Sequence, residues 1–470
     1  MNDRPPPGSH IHLIAICGVG MASLAGLLQA QGYRVTGSDQ NIYPPMSSYL
    51  EKIGIEVLAG FSAKHVASRP DLVIIGNVVR RDNPEAQAVL GAGIPYISFP
   101  QALGRFLIAS RQSIVIAGTH GKTTTTALAA WVLTQAGIDP GFFVGGVPLN
   151  FGSGWGSGDG DYVVIEGDEY DSAFFEKFPK FLHYRPQHVI LTSVEFDHAD
   201  IYGDLDQVKA AFRKLMELIP ERGALIFCSD DPSVAEVAAV ANCRSISYGD
   251  EADWTASNVR IHEGRSFFAP CYHGKSEGPI ELRLLGLHNV KNALSVYAFA
   301  REIGIERPKL IDGFATFAGI KRRQESKGEK RGILVIDDFA HHPTAVRETI
   351  SAVKAGYPER RLWAIFEPRS NTSRRKIFEK EFSEALALAD RVVLAGLNQP
   401  EKVPEEERLS VKQVVDEVNR MDRGDRAVVI EKDEDIAPYV AQNGASGDVV
   451  LVMSNGSFNG VPEKILRALD

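Results

Sequence analysis

Cysteine is scarce in this 470-residue sequence, and the four present, Cys17, Cys228, Cys243 and Cys271, include no CxxC pair. That spacing excludes a disulfide framework and a thiolate metal site, and leaves the cysteines as small core filler in a reducing compartment. Long apolar runs are missing as well. No segment reaches the ~18 uninterrupted apolar residues of a membrane span, and the opening MNDRPPPGSH has charge and proline but no apolar stretch of the signal-peptide kind. A soluble, cytoplasmic chain with no membrane partner is expected. Positive charge is not concentrated either: the formal net charge is -9, with acids and bases mixed along the chain, so no basic stripe awaits a phosphate backbone and nucleic acid is excluded as a partner. Low-complexity tracts and repeats are absent, which leaves an ordinary globular composition.

What is present is a repeated alternation. The length is about three times the ~150 residues of a usual domain, so several cores are expected. Over the first ~110 residues the apolar runs IHLIAI, YRVTGSD, DLVIIGN and GIPYISF alternate with helical patterns such as MASLAGLLQAQG, which is the spacing of parallel strands with helices on both faces. A second series opens at SIVIAGTHGKTTTT and continues through DYVVIEGDEYD and HVILTSVEFDH. A third opens near RGILVIDDFAHHPT and runs through RLWAIFEPRSNT, ADRVVLAG, RAVVIEK and DVVLVMSNGSF. The charged stretch GIKRRQESKGEKRG has no apolar periodicity and reads as the linker before the third unit, while GSGWGSGDGD reads as a mobile loop inside the second. Three α/β units are the simplest account.

The most specific stretch is AGTHGKTTTT, Ala117 to Thr126, at the end of the apolar run SIVI. Glycines, a lysine and threonines between a strand and a helix present free backbone N–H groups and a helix's positive end to one spot, an anion site suited to phosphates. Gly118, Thr119, His120, Gly121, Lys122, Thr123 and Thr124 form the candidate nucleotide loop, with Lys122 for the β- and γ-phosphates and the Thr123 hydroxyl for Mg²⁺. The loop is shorter than the usual phosphate-loop pattern, which would have a glycine at Ile116. Mg²⁺ requires oxygen ligands at neighbouring strand ends. Glu166 is the first choice, with Asp168 and Glu169 close by, and the next strand ends in Glu195, Asp197 and His198, the last a candidate for a second metal. Near the N-terminus, Gly18 and Gly20 stand in a GxGxxS frame, with Gly37, Ser38 and Asp39 some 20 residues on, a pattern that reads as a pyrophosphate and ribose site. It also fits a dinucleotide-binding oxidoreductase, which leaves the lysine-threonine loop unexplained.

Taken together, GTHGKTTT, VIEGDEYD, EFDHAD, LGLHNVKNALS, KRRQE and DDFAHHPT resemble, in order and over nearly the whole chain, the Mur ligases, ATP-dependent amide ligases of peptidoglycan synthesis. The resemblance implies a three-domain α/β architecture: a Rossmann-like UDP-sugar domain (1–110), a central P-loop ATP domain (111–321) and a Rossmann-like acceptor domain (322–470). Within the family the first-domain glycine loop and GSD are similar to the muramate-using branch. Through IGNVVRRDNPE, GGVPLNF, SAFFEKFPKFLHY, FEPRSNT and VMSNGSF the chain resembles the members that join a recycled tripeptide, L-alanyl-γ-D-glutamyl-meso-diaminopimelate, to UDP-N-acetylmuramate. The members that add L-alanine are the alternative, and a non-catalytic nucleotide-binding regulator is the rival from another class.

The resemblance further implies an acyl-phosphate route and a set of roles. Lys122, Glu166 and His198 are the expected catalytic residues, with ATP and two Mg²⁺ as cofactors: Thr123 and Glu166 for one ion, His198 for the other. His288, Asn289 and Asn292 lie where the family contacts ATP, Arg323 where it contacts phosphates and Asp338 the ribose. The sugar nucleotide is expected at Gly18, Gly20, Ser38, Asp39 and Asn77, and the acceptor at Arg369, Ser370, Asn371, Thr372, Ser454 and Asn455. Arg369 has the fork that a peptide carboxylate accepts bidentately. One departure is Phe339, where many relatives carry tyrosine.

Overall fold

The computed structural model describes residues 4–43, 46–197, 201–262, 264–422 and 424–470. The chain forms two compact units: one comprises Met1–Glu195, Leu205–Asp253 and Ser295–Gly313, the other Phe196–Asp204, Trp254–Leu294 and Phe314–Asp470. Among the described residues no helix is long and apolar enough to cross a membrane.

The first unit holds two parallel sheets. In one, the strands run in the order Val57–Ala59, Arg34–Asp39, His10–Ile14, Leu72–Ile75, Tyr96–Ser98. This doubly wound order places the carboxyl end of His10–Ile14, followed by the glycine turn, at the point where the winding reverses. A charged residue sits inside its core. Glu85 is fully buried and accepts from Ser38 Oγ (2.8 Å) and Ser62 N (3.1 Å), with His12 Nε2 at 2.6 Å and His65 Nδ1 at 3.0 Å. Burial works to raise its pKa, but the hydrogen bonds to His12 and Ser38 outweigh it and hold the carboxyl below the usual range.

The other sheet of this unit runs Arg244–Tyr248, Ala224–Cys228, Pro186–Leu191, Gln112–Ala117, Tyr162–Gly167, Gly141–Phe143, all parallel, with Trp155–Gly156 antiparallel on the end. The glycine-rich loop is thus tied into the sheet, and Trp155 Nε1 donates to Tyr49 Oη at 2.9 Å. Gln112–Ala117 and Tyr162–Gly167 are neighbours, so the phosphate loop and Glu166 emerge at the same sheet edge. Glu176 accepts from Ser98 Oγ (2.8 Å) and Gln101 Nε2 (2.6 Å), joining the central segment to the end of the first sheet.

In the second unit the sheet order is Glu325–Lys330, Ile333–Asp338, Val449–Met453, Leu362–Phe366, Arg391–Ala395, Ala427–Ile430, parallel apart from the first strand. ILVIDD, LWAIF and VVLVM are buried at every position, as strands covered by helices on both faces must be, and an apolar cluster lies on each face. The expected linker is partly structured: Glu325–Lys330 is an antiparallel edge strand. Its charges suit an edge, where they discourage pairing with another chain, and that is why apolar alternation did not reveal it.

His188, on Pro186–Leu191, is 8% exposed, packs against the Tyr162 and Phe299 rings, and has its pKa lowered by burial to about 4. The neutral ring suits the fold, so this stability is present above the ordinary histidine value and is lost as pH falls from 6.5 toward 4. His188→Phe is expected to remove on the order of 3 kcal/mol of that acid-dependent loss. Melting midpoints at pH 7 and pH 4.5 check it: the variant's drop should be the smaller, and an equal drop refutes the assignment.

Candidate functional site

Geometry at the phosphate loop begins with what cannot fit there. Gly118 has φ +131°, and a Cβ on it would lie 2.2 Å from Thr192 Oγ1 and 2.8 Å from Ser193 N. The close approach lets the end of the neighbouring strand grip the loop. Thr192 Oγ1 donates to His120 O (2.6 Å), Ser193 Oγ accepts from His120 N (2.9 Å), Thr119 N donates to Ser193 O (2.9 Å), and Glu195 N donates to Thr119 Oγ1 (2.9 Å). Gly121, at φ +80°, caps the helix Lys122–Gln135, whose first turn carries Thr123 and Thr124. His120 Nε2 lies 3.5 Å from Glu195 Oε2.

Lys122 Nζ lies 2.5 Å from Gly118 O and 3.0 Å from Glu169 Oε2. Burial works against its ammonium, but Glu169 and then Asp168 prevail and raise its pKa above the ordinary lysine value. Asp168 is held below its usual range, against its own burial, by Lys180 first and then Lys122. Lys180 Nζ sits 3.0 Å from Asp168 Oδ2 and 3.9 Å from the centre of the Tyr170 ring. Sequence reasoning missed Lys180, because nothing in EKFPK announces Asp168, 12 residues earlier, as its partner.

Thr123 Oγ1 and Glu166 Oε2 are 3.1 Å apart, and Glu166 Oε1 accepts from Gly145 N at 2.5 Å. A hydroxyl and a carboxylate together beside a phosphate loop are hard oxygen donors of the kind Mg²⁺ takes, so this pair fits the ion. His198, the expected ligand of a second ion, lies outside the described residues.

At the first sheet, Gly18 caps the helix Val19–Ala30 and Gly20 lies in its first turn. Asp39 accepts from Cys17 N (2.9 Å) and Asn41 N (2.8 Å), fixing the turn, while Asn77 is exposed beyond the neighbouring strand end. Ser38 is fully buried and its hydroxyl donates to Glu85 Oε1 at 2.8 Å, which ties the end of its strand to the helix behind it.

In the second unit, Asn289 is buried and donates to Leu285 O (2.8 Å), and Asn292 donates to Asn289 Oδ1 (3.4 Å). His288 has its pKa lowered by burial to about 4. Asp338 accepts from Gln324 N (2.8 Å) and Ala340 N (2.7 Å), which commits its carboxylate to backbone amides. Arg323 lies over the Phe339 ring at 4.7 Å, with Arg322 on the same ring at 5.3 Å, so Phe339 serves as a platform for guanidinium groups. Thr372 is buried and its hydroxyl donates to Asp197 Oδ1 at 2.8 Å.

Arg369, Ser370, Asn371, Ser454 and Asn455 flank the carboxyl ends of Leu362–Phe366 and Val449–Met453. The Ser370 hydroxyl exchanges hydrogen bonds with Ser373, and Asn371 Oδ1 accepts from Arg374 Nη1 (3.4 Å). Asn455 Oδ1 is buried and makes no hydrogen bond among the described residues. A cavity of about 370 Å³ lined by Glu367, Asn398, Glu431, Asp433, Asn459 and Lys464 opens at this end of the sheet, where open α/β sheets receive ligands.

Comparison with known proteins adds three family matches in order: the Mur ligase family, catalytic domain, over residues 10–111, the Mur ligase middle domain over 116–300, and the Mur ligase, glutamate ligase domain, over 322–456. The chain is 40% identical to the UDP-N-acetylmuramate–L-alanyl-gamma-D-glutamyl-meso-2,6-diaminoheptandioate ligase of Escherichia coli, over 98% of each. It is 34% identical to the UDP-N-acetylmuramate–L-alanine ligase of Desulfitobacterium hafniense, over 97% of this chain and 99% of the relative. A crystal structure of a murein peptide ligase from Psychrobacter arcticus matches with a TM-score of 0.73 at 38% identity, over 98% of this chain and 99% of that one.

The loop geometry generates a prediction. Lys122→Ala is expected to lower nucleotide-dependent phosphate release by on the order of 10²–10³-fold, and Glu166→Gln to raise the half-saturating Mg²⁺ concentration at least about tenfold. Rates measured across an Mg²⁺ titration, with circular dichroism to verify folding, check both. Unchanged Mg²⁺ dependence in Glu166→Gln removes that carboxylate from the metal site.

Proposed function

The chain belongs to the Mur ligase family, and on that premise we propose that it joins UDP-N-acetylmuramate to the recycled tripeptide L-alanyl-γ-D-glutamyl-meso-diaminopimelate, cleaving ATP to ADP and phosphate. The observation that carries this acceptor is full-length identity, higher to the relative named for the tripeptide than to the one named for L-alanine. The reaction belongs to peptidoglycan recycling.

A carboxylate does not acylate an amine until one of its oxygens becomes a leaving group. The γ-phosphoryl of ATP passes to the lactyl carboxylate: an oxygen–phosphorus bond forms and ADP departs. The tripeptide's amine then attacks the acyl carbon through a tetrahedral oxyanion, gives up a proton, and phosphate leaves. Both steps gather negative charge, so positioning and fixed cations carry most of the catalysis. Lys122, kept protonated by Glu169 and Asp168, is the cation we assign to the β- and γ-phosphates. Thr123 and Glu166 would hold Mg²⁺, which when bound adds positive charge beside the phosphoryl group.

On the first sheet, the turn at Gly18 and Gly20, with Asp39 behind it, is assigned to the sugar nucleotide. Arg323 is assigned to phosphates, Asp338 to the ribose, and His288, Asn289 and Asn292 to the rest of ATP, all on family resemblance. Arg369 supports the acceptor assignment, since its side chain makes no hydrogen bond among the described residues and its donors remain for a peptide carboxylate. We assign the domains to 1–110, 111–321 and 322–470, a division supported by the ranges of the three family matches.

Phosphate release with ATP, Mg²⁺ and UDP-N-acetylmuramate, supplied with either the tripeptide or L-alanine, tests the proposal. Release with the tripeptide is expected, and release with L-alanine alone overturns it. Arg369→Ala is expected to raise the tripeptide KM at least about tenfold, as loss of a charged anchor does, with the ATP KM within about twofold.

A further inference from the structure

Glu367 is the first residue beyond the strand Leu362–Phe366, and Ser454 the first beyond its neighbour Val449–Met453, whose ends pair through Phe366 and Met453. This register sets the two side chains next to each other, and Ser454 Oγ donates to Glu367 Oε2 at 2.5 Å. Glu367 is 1% exposed. A carboxylate buried to that degree is costly unless a positive charge answers it. Burial raises the Glu367 pKa, and the Ser454 hydrogen bond and then the charge of Arg369, whose Nη1 lies 3.6 Å from Glu367 Oε1, act against that rise.

That distance is too long for a hydrogen bond but short enough for a strong Coulomb attraction in a shielded place. Arg369 is therefore held by charge while its N–H donors stay unspent, and its side chain is 30% exposed. Two further contacts fix its direction. The backbone of Arg369 and Ser370 is pinned by Ser373 Oγ, which accepts from both amides at 3.0 and 2.9 Å. The guanidinium lies against Gly456, where a Cβ would come within 2.2 Å of Arg369 Nε. Gly456 is itself tied to the pair, because its N–H donates to Ser454 Oγ at 3.0 Å.

We propose that Glu367 is a positioning residue of the acceptor site: it fixes the place and aim of the Arg369 guanidinium without occupying the donors that an acceptor carboxylate takes. Glu367 acts through Arg369 and touches no reacting atom. The inference rests on the reading of Arg369 as the acceptor's carboxylate partner. Replacing Glu367 frees the guanidinium to swing, and the loss falls on acceptor binding, with the chemistry of phosphoryl transfer untouched.

A double-mutant cycle on the full chain tests this. Glu367→Gln keeps the shape and removes the charge, and is expected to raise the tripeptide KM about tenfold, a coupling of the size neighbouring residues show, with kcat and the ATP KM within about twofold. In an Arg369→Ala background the same substitution should add nothing. A merely structural glutamate would instead cost the same with or without Arg369, and that additive result overturns the proposal, as does an unchanged tripeptide KM in the single variant. Should Glu367→Gln fail to fold, Glu367→Asp keeps the charge but draws it back from Arg369 and is expected to give a smaller KM rise that also vanishes without Arg369; a rise that persists there refutes the role. A wild-type protein that releases no phosphate with the tripeptide fails the functional reading itself, and this inference with it. Wild-type activity combined with an additive cycle fails the positioning role alone.

Discussion

The phosphate loop depends on one close approach: the backbone of Gly118 lying against Thr192 and Ser193 at the end of the adjacent strand. With no side chain in the way, the strand end can offer its hydroxyls and backbone to Thr119 and His120, and the loop is held open by its neighbour. Everything that converges on Lys122 follows from this grip. The helix begins where the loop ends, so the Lys122 ammonium and the Thr123 hydroxyl take their places from the sheet, and Glu166 meets Thr123 because Gln112–Ala117 and Tyr162–Gly167 are paired in register. A rigid support of this kind is what a reaction governed by positioning requires.

Legibility in the sequence followed chain distance. GTHGKTTT carries its chemistry in consecutive residues between an apolar run and a helical pattern, so its role could be read without a partner. The parallel class was legible for the same reason, since runs such as VVLVM and LWAIF are buried on both faces and contain no polar interruption. What could not be read were partners assembled from afar. Ser193 is 73 residues from His120, and Ser454 is 87 residues from Glu367. Nor does a hydroxyl in a suggestive motif disclose its partner in the fold: Ser38 donates to Glu85 and Thr372 to Asp197. The charged edge strand Glu325–Lys330 was misread as a linker because an exposed edge has no apolar face to alternate.

At Phe339, where the resemblance leads one to expect tyrosine, the structure shows what the ring does. Two consecutive arginines, Arg322 and Arg323, lie over its ring, and Arg322 is further tied to Ser454 O at 2.6 Å and lies 3.4 Å from Asp337. The ring offers a π face to the guanidiniums, a service that does not need the phenolic hydroxyl of tyrosine. Burial raises the Asp337 pKa to about 6, with Arg322 acting against that rise, so the arginine steadies the acid while the ring steadies the arginine.

The carboxylate of Glu85 has a consequence for how the first sheet comes apart. It draws groups from three segments besides its own: His12 on the central strand, Ser38 on the next, and Ser62 and His65 around the short helical turn Ala63–Val66, while Glu85 itself belongs to the helix Pro84–Gly91. Letting any one segment peel away strips a buried charge of part of its solvation, so fraying from an edge is penalised at the first step. The carboxylate thus couples the opening of these segments to one another, where a purely apolar core would let its margins loosen independently.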